Sequence, residues 1–324
     1  MSKIRVGVLR GGTSDEYDIS LKTGAEVLKH LPREAYRPID IFVDKSGIWH
    51  INGLPRQHGD INNMVDVVFN ALHGEYGEDG KVQQILEAHK IPYTGSRVQP
   101  SAVGMNKILA KETVKKYGVE SPYHQTITRK EYERINPHEL FRRVLLPVVG
   151  KPLSGGSSLG TFFADNMEDL WAGVLESLEH GDTVILEQYI KGREATVSVV
   201  DGLRGMDYYA LLPIEIERLP GSKVWGYKEK YNGETIERCP GRFSSSEKKE
   251  LERLATLAHQ VIGARHYSRS DFIVNEGGIY FLEINTLPGL TAESLMPKAL
   301  EAIGMSFPQF LDHIIKLAFA GKYL

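Results

Sequence analysis

Four polar side chains between residues 267 and 297 have the types and the spacing to do chemistry: Arg269 and Asp271 stand two apart, as do Glu283 and Asn285. Residues two apart in a strand point to the same side. Phe272, Val274, Leu282 and Ile284 then fall on the opposite side and are expected in a core. The run Asn275-Glu276-Gly277-Gly278 has the composition of a hairpin turn. A three-residue loop over 276–278 would set Asp271 opposite Glu283 and Arg269 opposite Asn285. Side chains so paired lie about 5 Å apart at Cβ, so the two carboxylates repel unless positive charge sits between them. Oxygen donors of this kind suit Mg²⁺, which completes its shell with water and substrate phosphates. Any one of these residues alone reads as well as part of a solvated strand face with an incidental ion pair. The four together point to a nucleotide-phosphate site.

The elements that must position them alternate between strand and helix, the pattern of an α/β chain. A strand over 3–9 runs into Gly11-Gly12-Thr13-Ser14, with Ser14 expected to cap a helix that carries Ile19, Leu21, Ala25 and Leu28 on one side. The glycine pair matches neither a dinucleotide fingerprint nor a P-loop. Further strands are expected over 38–43 and 67–72. HGEYGEDG, residues 73–80, follows the second of these, at the strand end where open α/β sheets bind ligands. A plain solvated turn has the same composition, and Glu78 and Asp79 also suit the start of the next helix. A helix over 102–117, ending at Gly118, carries Lys107.

After a strand over 145–149, KPLSGGSSLG at 151–160 offers a lysine and a loop whose backbone N–H groups can close over phosphate; a flexible linker looks much the same. The regular elements on either side, a helix over 167–178 among them, favour the loop. In EQYIKGRE, which continues a strand over 183–188, Tyr189 and Ile190 offer apolar contact to a flat ring and Glu187 an acceptor, although core and rim residues share that pattern. Strands over 195–200 and 208–214 precede an irregular stretch, 219–242, long enough to be a lid. Lys228, Lys230 and Tyr231 lie on it. A helix over 245–263 then leads into the hairpin.

Composition bounds the rest. At 324 residues the chain is long enough for about two domains or more. A hydrophobic content of 41%, a charged content of 25% and a net charge of -3 are those of an ordinary soluble protein without a general attraction for nucleic acid or anionic membrane. The apolar run near the N-terminus is short for a signal peptide, and no stretch approaches a membrane span, so a cytoplasmic protein is expected. Cys239 is the sole cysteine, which excludes an intramolecular disulfide and a cysteine-based metal site.

The motifs GGTSDEYDIS, ALHGEYGEDG, IPYTGS, KPLSGGSSLG, EKY and LEINTLPGLTAESLMPKA occur in an order and spacing that resembles the D-alanine–D-alanine ligases of the ATP-grasp superfamily, over essentially the full chain. The resemblance implies an ATP-grasp fold: an N-terminal Rossmann-like (preATP-grasp) domain over 1–97, a central ATP-grasp subdomain over 98–190, and a C-terminal one over 191–324 with its lid at about 219–242. It also implies that ATP phosphorylates the carboxylate of one D-alanine and that the amine of a second displaces phosphate, for peptidoglycan precursor synthesis by a cytoplasmic homodimer.

By the same resemblance, Lys107 and Lys151 hold the nucleotide phosphates, Glu187, Tyr189, Ile190 and Glu194 hold adenine and ribose, Ser157, Ser158 and Gln188 also bind the nucleotide, and Lys230 binds nucleotide and substrate. Asp271, Glu283 and Asn285 hold two Mg²⁺ or Mn²⁺ ions. Glu16 binds the ammonium of the first D-alanine, with His73 near its carboxylate. Arg269 and the Gly289 N–H stabilise the tetrahedral oxyanion, Ser294 and Leu295 hold the second carboxylate, and Ser157 and Tyr231 tie the lid to Glu16. The chain departs from the family pattern at Tyr17-Asp18, Asn106 and Gly155 and in a hairpin turn one residue short, none of which removes a group the reaction requires. Two alternatives share these residues: a ligase with D-lactate or D-serine as acceptor, and a catalytically silent nucleotide-binding protein.

Overall fold

A computed structural model describes residues 3–156, 159–218 and 235–320. Its first sheet contains β1 (Ile4–Gly11), β2 (Tyr36–Val43), β3 (Trp49–Ile51), β4 (Leu54–Arg56) and β5 (Val67–Asn70) in the order β4-β3-β2-β1-β5. The β1–β2 and β1–β5 pairs are parallel. Val6, Val8, Val67 and Phe69 are all fully buried, as expected for parallel strands covered on both faces. The helix Tyr17–His30 packs on β1 but differs from expectation in two ways. Ser14 does not cap it; its hydroxyl donates to the His73 carbonyl and accepts from the Glu16 N–H. The buried side is Ser20, Thr23, Gly24 and Val27, with Ala25 exposed. Side-chain hydrogen bonds explain the polar face: Ser20 Oγ donates to the Ala71 carbonyl and accepts from the Gly11 N–H. Gly24 leaves room for Arg10, whose Cβ would lie 2.5 Å from an added Cβ.

The second sheet, β6 (His124–Thr128), β7 (Val148–Pro152), β8 (Phe162–Ala164) and β9 (Thr183–Gln188), is antiparallel in the order β6-β9-β7-β8. Because β7 starts and ends later than expected, Lys151 is held in a strand, opposite Ile185, rather than on a loop. The expected single helix over 102–117 is two, Val98–Met105 and Lys107–Lys115. Asn106 takes an extended conformation between them, and its side chain accepts from the Ile108 and Leu109 N–H groups. That cap sets Lys107 at the first turn of the second helix. Asn106→Ala is expected to cost about 1 kcal/mol of unfolding free energy, and Asn106→Asp, which can still cap, much less. Urea denaturation of the two variants checks this, and equal stability in both would remove the cap's significance.

The third sheet holds β10 (Arg193–Asp201), β11 (Tyr208–Ala210), β12 (Ile214–Glu217), β13 (Ile236–Arg238), β14 (Tyr267–Asn275) and β15 (Gly278–Asn285), in the order β13-β12-β10-β14-β15 with β11 also on β10. The expected strand over 208–214 is thus split in two. The stretch 219–242 is not irregular throughout, since β13 pairs with β12; its residues 219–234, with Lys228, lie outside the described residues. The helix Ser245–Ile262 begins with a Ser244–Glu247 capping box and ends at Gly263 with φ +77°. It lays Leu251, Leu254, Ala255 and Ala258 on the back of the sheet, against Phe272 and Phe281.

The β14–β15 turn has two residues, Glu276 and Gly277, between the paired Asn275 and Gly278. A β-bulge between Asp271 and Phe272 makes up the difference, so Asp271 still faces Glu283 and Arg269 still faces Asn285. The bulge also corrects one expectation: Phe281 rather than Leu282 enters the core, and Leu282 turns to the side of Glu283. The first and third sheets are tied through residues 93–96. Arg265 donates to the Tyr93 and Gly95 carbonyls, and Gly95 N–H donates to His266 Nδ1 at 3.1 Å. Among the described residues no helix is long and apolar enough to cross a membrane.

Candidate active site

The repulsion expected between Asp271 and Glu283 is answered by positive side chains. Arg269 places Nε and Nη2 each 2.9 Å from the two oxygens of Asp271. Thr196, directly across on β10, donates to Asp271 Oδ1 at 2.6 Å. On the other strand, Lys151 Nζ is 3.4 Å from Glu283 Oε2. Burial pushes the Arg269 guanidinium down, but Asp271, Glu283 and Glu78 outweigh it and hold it above its ordinary range. These all-oxygen donors, facing each other and already drawing cations from the protein, fit the residues of a divalent-metal site. The Asn285 amide oxygen accepts from the Leu287 N–H at 2.9 Å, which fixes the chain where it leaves β15.

Lys151 has a second partner, Glu187 on the neighbouring β9, with Nζ 3.1 Å from Oε2. The other oxygen of Glu187 is 2.8 Å from Lys111 Nζ, and Lys111 is wholly buried. Burial pushes Glu187 up, yet the two lysines hold it below the usual carboxylate range. Lys151 is held above its ordinary range: burial opposes, and Glu187 and Glu283 prevail. Burial pulls Lys111 below its own, more than Glu187 restores. We take Glu187 as ionised, because both of its oxygens meet a lysine nitrogen. Lys107 Nζ donates to the Gly155 carbonyl at 2.9 Å, which holds one end of the glycine-serine loop over the first turn of its helix.

These groups open on a cleft of about 770 Å³ between the sheets. Lys107, Lys151, Glu187, Gln188, Tyr189, Ile190, Glu194, Asp271 and Glu283 line it, with Ile273 and Leu282 as an apolar floor between carboxylates. Arg218 Nε approaches Glu194 at 3.6 Å. Glu16 and Gly74 close the cleft from the first sheet, where the chain leaves β1 and β5. The approach is tight: a Cβ on Gly156 would lie 2.3 Å from Glu16 Oε2, and one on Gly74 2.7 Å from it.

His73, Arg269, Asn285, Gly289, Ser294 and Leu295 stand outside the lining of this cleft. Gly289 and Ser294 are close, with Ser294 Oγ 2.9 Å from where a Gly289 Cβ would be, and Ser294 Oγ accepts from the Thr291 N–H. Leu295, which begins the helix Leu295–Ala302, is buried in the core. Ser157, Ser158, Lys230 and Tyr231 lie outside the described residues.

His73 is buried with both ring nitrogens engaged: Nε2 is 2.8 Å from Thr23 Oγ1 and Nδ1 is 3.5 Å from Glu78 Oε1. Glu78 therefore does not start the following helix, whose N-cap is Gly80; it is buried and accepts from the Gly74 N–H. Burial pushes His73 down, but Glu78 first, and Glu16 after it, raise it above 6.5. A raised folded value means that protonation of His73 stabilises the fold fully below the unfolded value near 6.5, and that this contribution is lost as pH rises through the folded one. Glu78→Gln is expected to flatten this dependence. Chemical denaturation from pH 5 to 9 would show it, and an unchanged slope in the variant would refute the pairing.

Sequence reasoning missed Lys111, Thr196 and Thr23. Lys111 stands four residues after Lys107, so the two share a helix face, a signal present in the sequence. Thr196 and Thr23 leave no such mark, because their partners are distant in the chain.

A lysine- and carboxylate-lined cleft between two antiparallel sheets, closed by a parallel α/β unit, defines an ATP-grasp architecture. The model for the D-ala D-ala ligase C-terminus matches residues 113–316, and that for the D-ala D-ala ligase N-terminus matches 5–59 and 52–96. The D-alanine–D-alanine ligase B of Clostridium perfringens is 34% identical over 98% of this chain and 99% of its own. Among solved structures, the VanG D-Ala:D-Ser ligase from Enterococcus faecalis superposes with a TM-score of 0.83 at 28% identity, covering 98% of this chain and 100% of the other. The D-alanine–D-alanine ligase from Bacillus anthracis complexed with ATP gives 0.80 at 30% identity, over 99% of both chains. The chain belongs to the D-alanine–D-alanine ligase family.

Proposed function

We infer that this protein is an ATP-dependent ligase that joins two D-alanines and releases ADP and phosphate. The observation that carries the reading is the juxtaposition of Lys151, Glu187, Asp271 and Glu283 at one cleft, with Glu16 facing them from the first sheet. We assign the units to 1–97, 98–190 and 191–324. Lys107 and Lys151 meet the phosphates, and Ser157, Ser158 and Lys230, which lie outside the described residues, are assigned to the nucleotide as well. Gln188, Tyr189 and Ile190 border the adenine and Glu194 the ribose; Glu187 presents its edge to the base while it anchors Lys151. Asp271, Glu283 and Asn285 would hold Mg²⁺ or Mn²⁺, which supplies charge neutralisation between an anionic carboxylate and the γ-phosphate.

Glu16 takes the ammonium of the first D-alanine, with His73, buried beside Glu78, near its carboxylate. The carboxylate oxygen attacks the γ-phosphorus and ADP leaves. The amine of the second D-alanine, positioned by Ser294 and Leu295, then attacks the acyl carbon. Arg269 and the Gly289 N–H face the charge that develops on its oxygen. Phosphate departs from the tetrahedral species and takes the proton that the nitrogen sheds.

D-serine as acceptor is the second reading, favoured by the likeness to a D-Ala:D-Ser ligase. Amino-acid-dependent ADP formation with D-alanine, D-serine, D-lactate and L-alanine separates these. Turnover on D-alanine alone supports the first reading, and no turnover on any would leave a silent nucleotide binder. The reading includes a cytoplasmic protein that forms a homodimer; a monomer mass by light scattering at working concentration would refute the dimer.

A further inference from the structure

Lys111 does no work in the reaction as described, yet it is a charged side chain with no exposure to solvent. Its ammonium meets Glu187 Oε1 at 2.8 Å and donates to the Phe281 carbonyl at 3.2 Å. Beyond Glu187 come Lys151, at 3.1 Å, and Glu283, at 3.4 Å from Lys151. A row of alternating charge thus runs from the core, through β9 and β7, to the cleft edge of β15. Taking an ion out of water costs several kcal/mol, and an apolar side chain of similar volume would fill the same space at less cost. Packing therefore does not account for a lysine at 111.

Charge balance does. Glu187 carries one negative charge between two lysines. With Lys111 replaced by an apolar residue, that charge would fall wholly on Lys151, and the pair would face the cleft as a neutral dipole. With Lys111 present, Glu187 is neutralised from behind, and the Lys151 ammonium keeps positive charge to offer toward Glu283 and the cleft. We propose that Lys111 is a positioning residue that sets the cleft's preference for a phosphorylated over an unphosphorylated nucleoside, through Glu187 and Lys151, without touching the ligand. This rests on the reading that nucleotide phosphates lie at Lys151.

The test is the dissociation constant of ATP, with Mg²⁺, and of adenosine, measured by calorimetry on the full chain and two variants. Lys111→Met is expected to lower the preference for ATP over adenosine about tenfold, equivalent to ~1.4 kcal/mol. Glu187→Gln, which frees both lysines from their shared carboxylate, is expected to shift that preference the opposite way by a similar factor. The ratio cancels any change in the adenine contact common to both ligands. A purely structural Lys111 would weaken both ligands equally, and an amine already neutral in the native protein would change neither; both results overturn the proposal. If Lys111→Met does not fold, Glu187→Gln decides alone, and an unchanged or lowered preference overturns it. Failure of the unaltered protein to bind ATP would instead sink the nucleotide reading itself.

Discussion

Glu283→Ala is expected to reduce turnover by about a thousandfold or more at saturating ATP, the ~4 kcal/mol that loss of a charge-stabilising site implies. Glu283 faces Asp271 across β14–β15 and also holds Lys151. Its removal therefore takes away a proposed metal ligand and leaves Lys151, among the described residues, paired with Glu187. Stability should change little, because the Glu283 side chain keeps 29% of its exposure and partial solvation weakens the ion pair it loses. Steady-state ADP release across a Mg²⁺ titration, alongside a denaturation curve, makes the measurement. Near-normal turnover with unchanged Mg²⁺ dependence would move the metal site elsewhere.

The second large effect lies at Arg269, and here catalysis and folding must be separated. The largely covered guanidinium forks onto the buried Asp271 through two 2.9 Å contacts. Arg269→Met leaves the Asp271 carboxylate buried with Thr196 as its remaining donor among the described residues, and stripping one partner from a buried pair costs about 3–5 kcal/mol of stability. Arg269→Lys keeps the charge but loses the planar fork. It should therefore lose less stability, yet kcat should still fall about 100- to 1000-fold, the range for removal of one oxyanion donor. Comparison of kcat with the unfolding midpoint in both variants is the check. A lysine variant with parental kcat would limit Arg269 to holding Asp271.

Much of this site could be read from residue order. The period-two spacing of Arg269 and Asp271, and of Glu283 and Asn285, placed each pair on one strand face, and the short polar turn between them fixed which residues would meet. The register survived even though the turn is one residue shorter than expected, because a bulge beside Asp271 restored it. The same bulge exchanged Phe281 and Leu282 between core and cleft, which alternation alone cannot anticipate. Helix boundaries failed for a similar reason. Asn106 is compatible with a helix interior, and only its side-chain bonds to the Ile108 and Leu109 N–H groups make it a break.

The sequence by itself determined the α/β class, the opposed carboxylates of the hairpin, the position of Glu16 at the start of the first helix, and membership of a ligase family through ordered motifs. These follow from local periodicity and from the steric demands of glycine-rich turns, which act over a few residues. Tertiary structure alone decided which charges meet. Glu187 became the partner of two lysines, Thr196 the support of Asp271, and Glu78 and Thr23 the clamp on His73. Apart from His73–Glu78, which share one loop, those contacts join side chains from separate elements, and no linear pattern encodes them. A buried charge is tolerated only where folding delivers an opposite one within a few ångströms, so the pairing is a property of the assembled core.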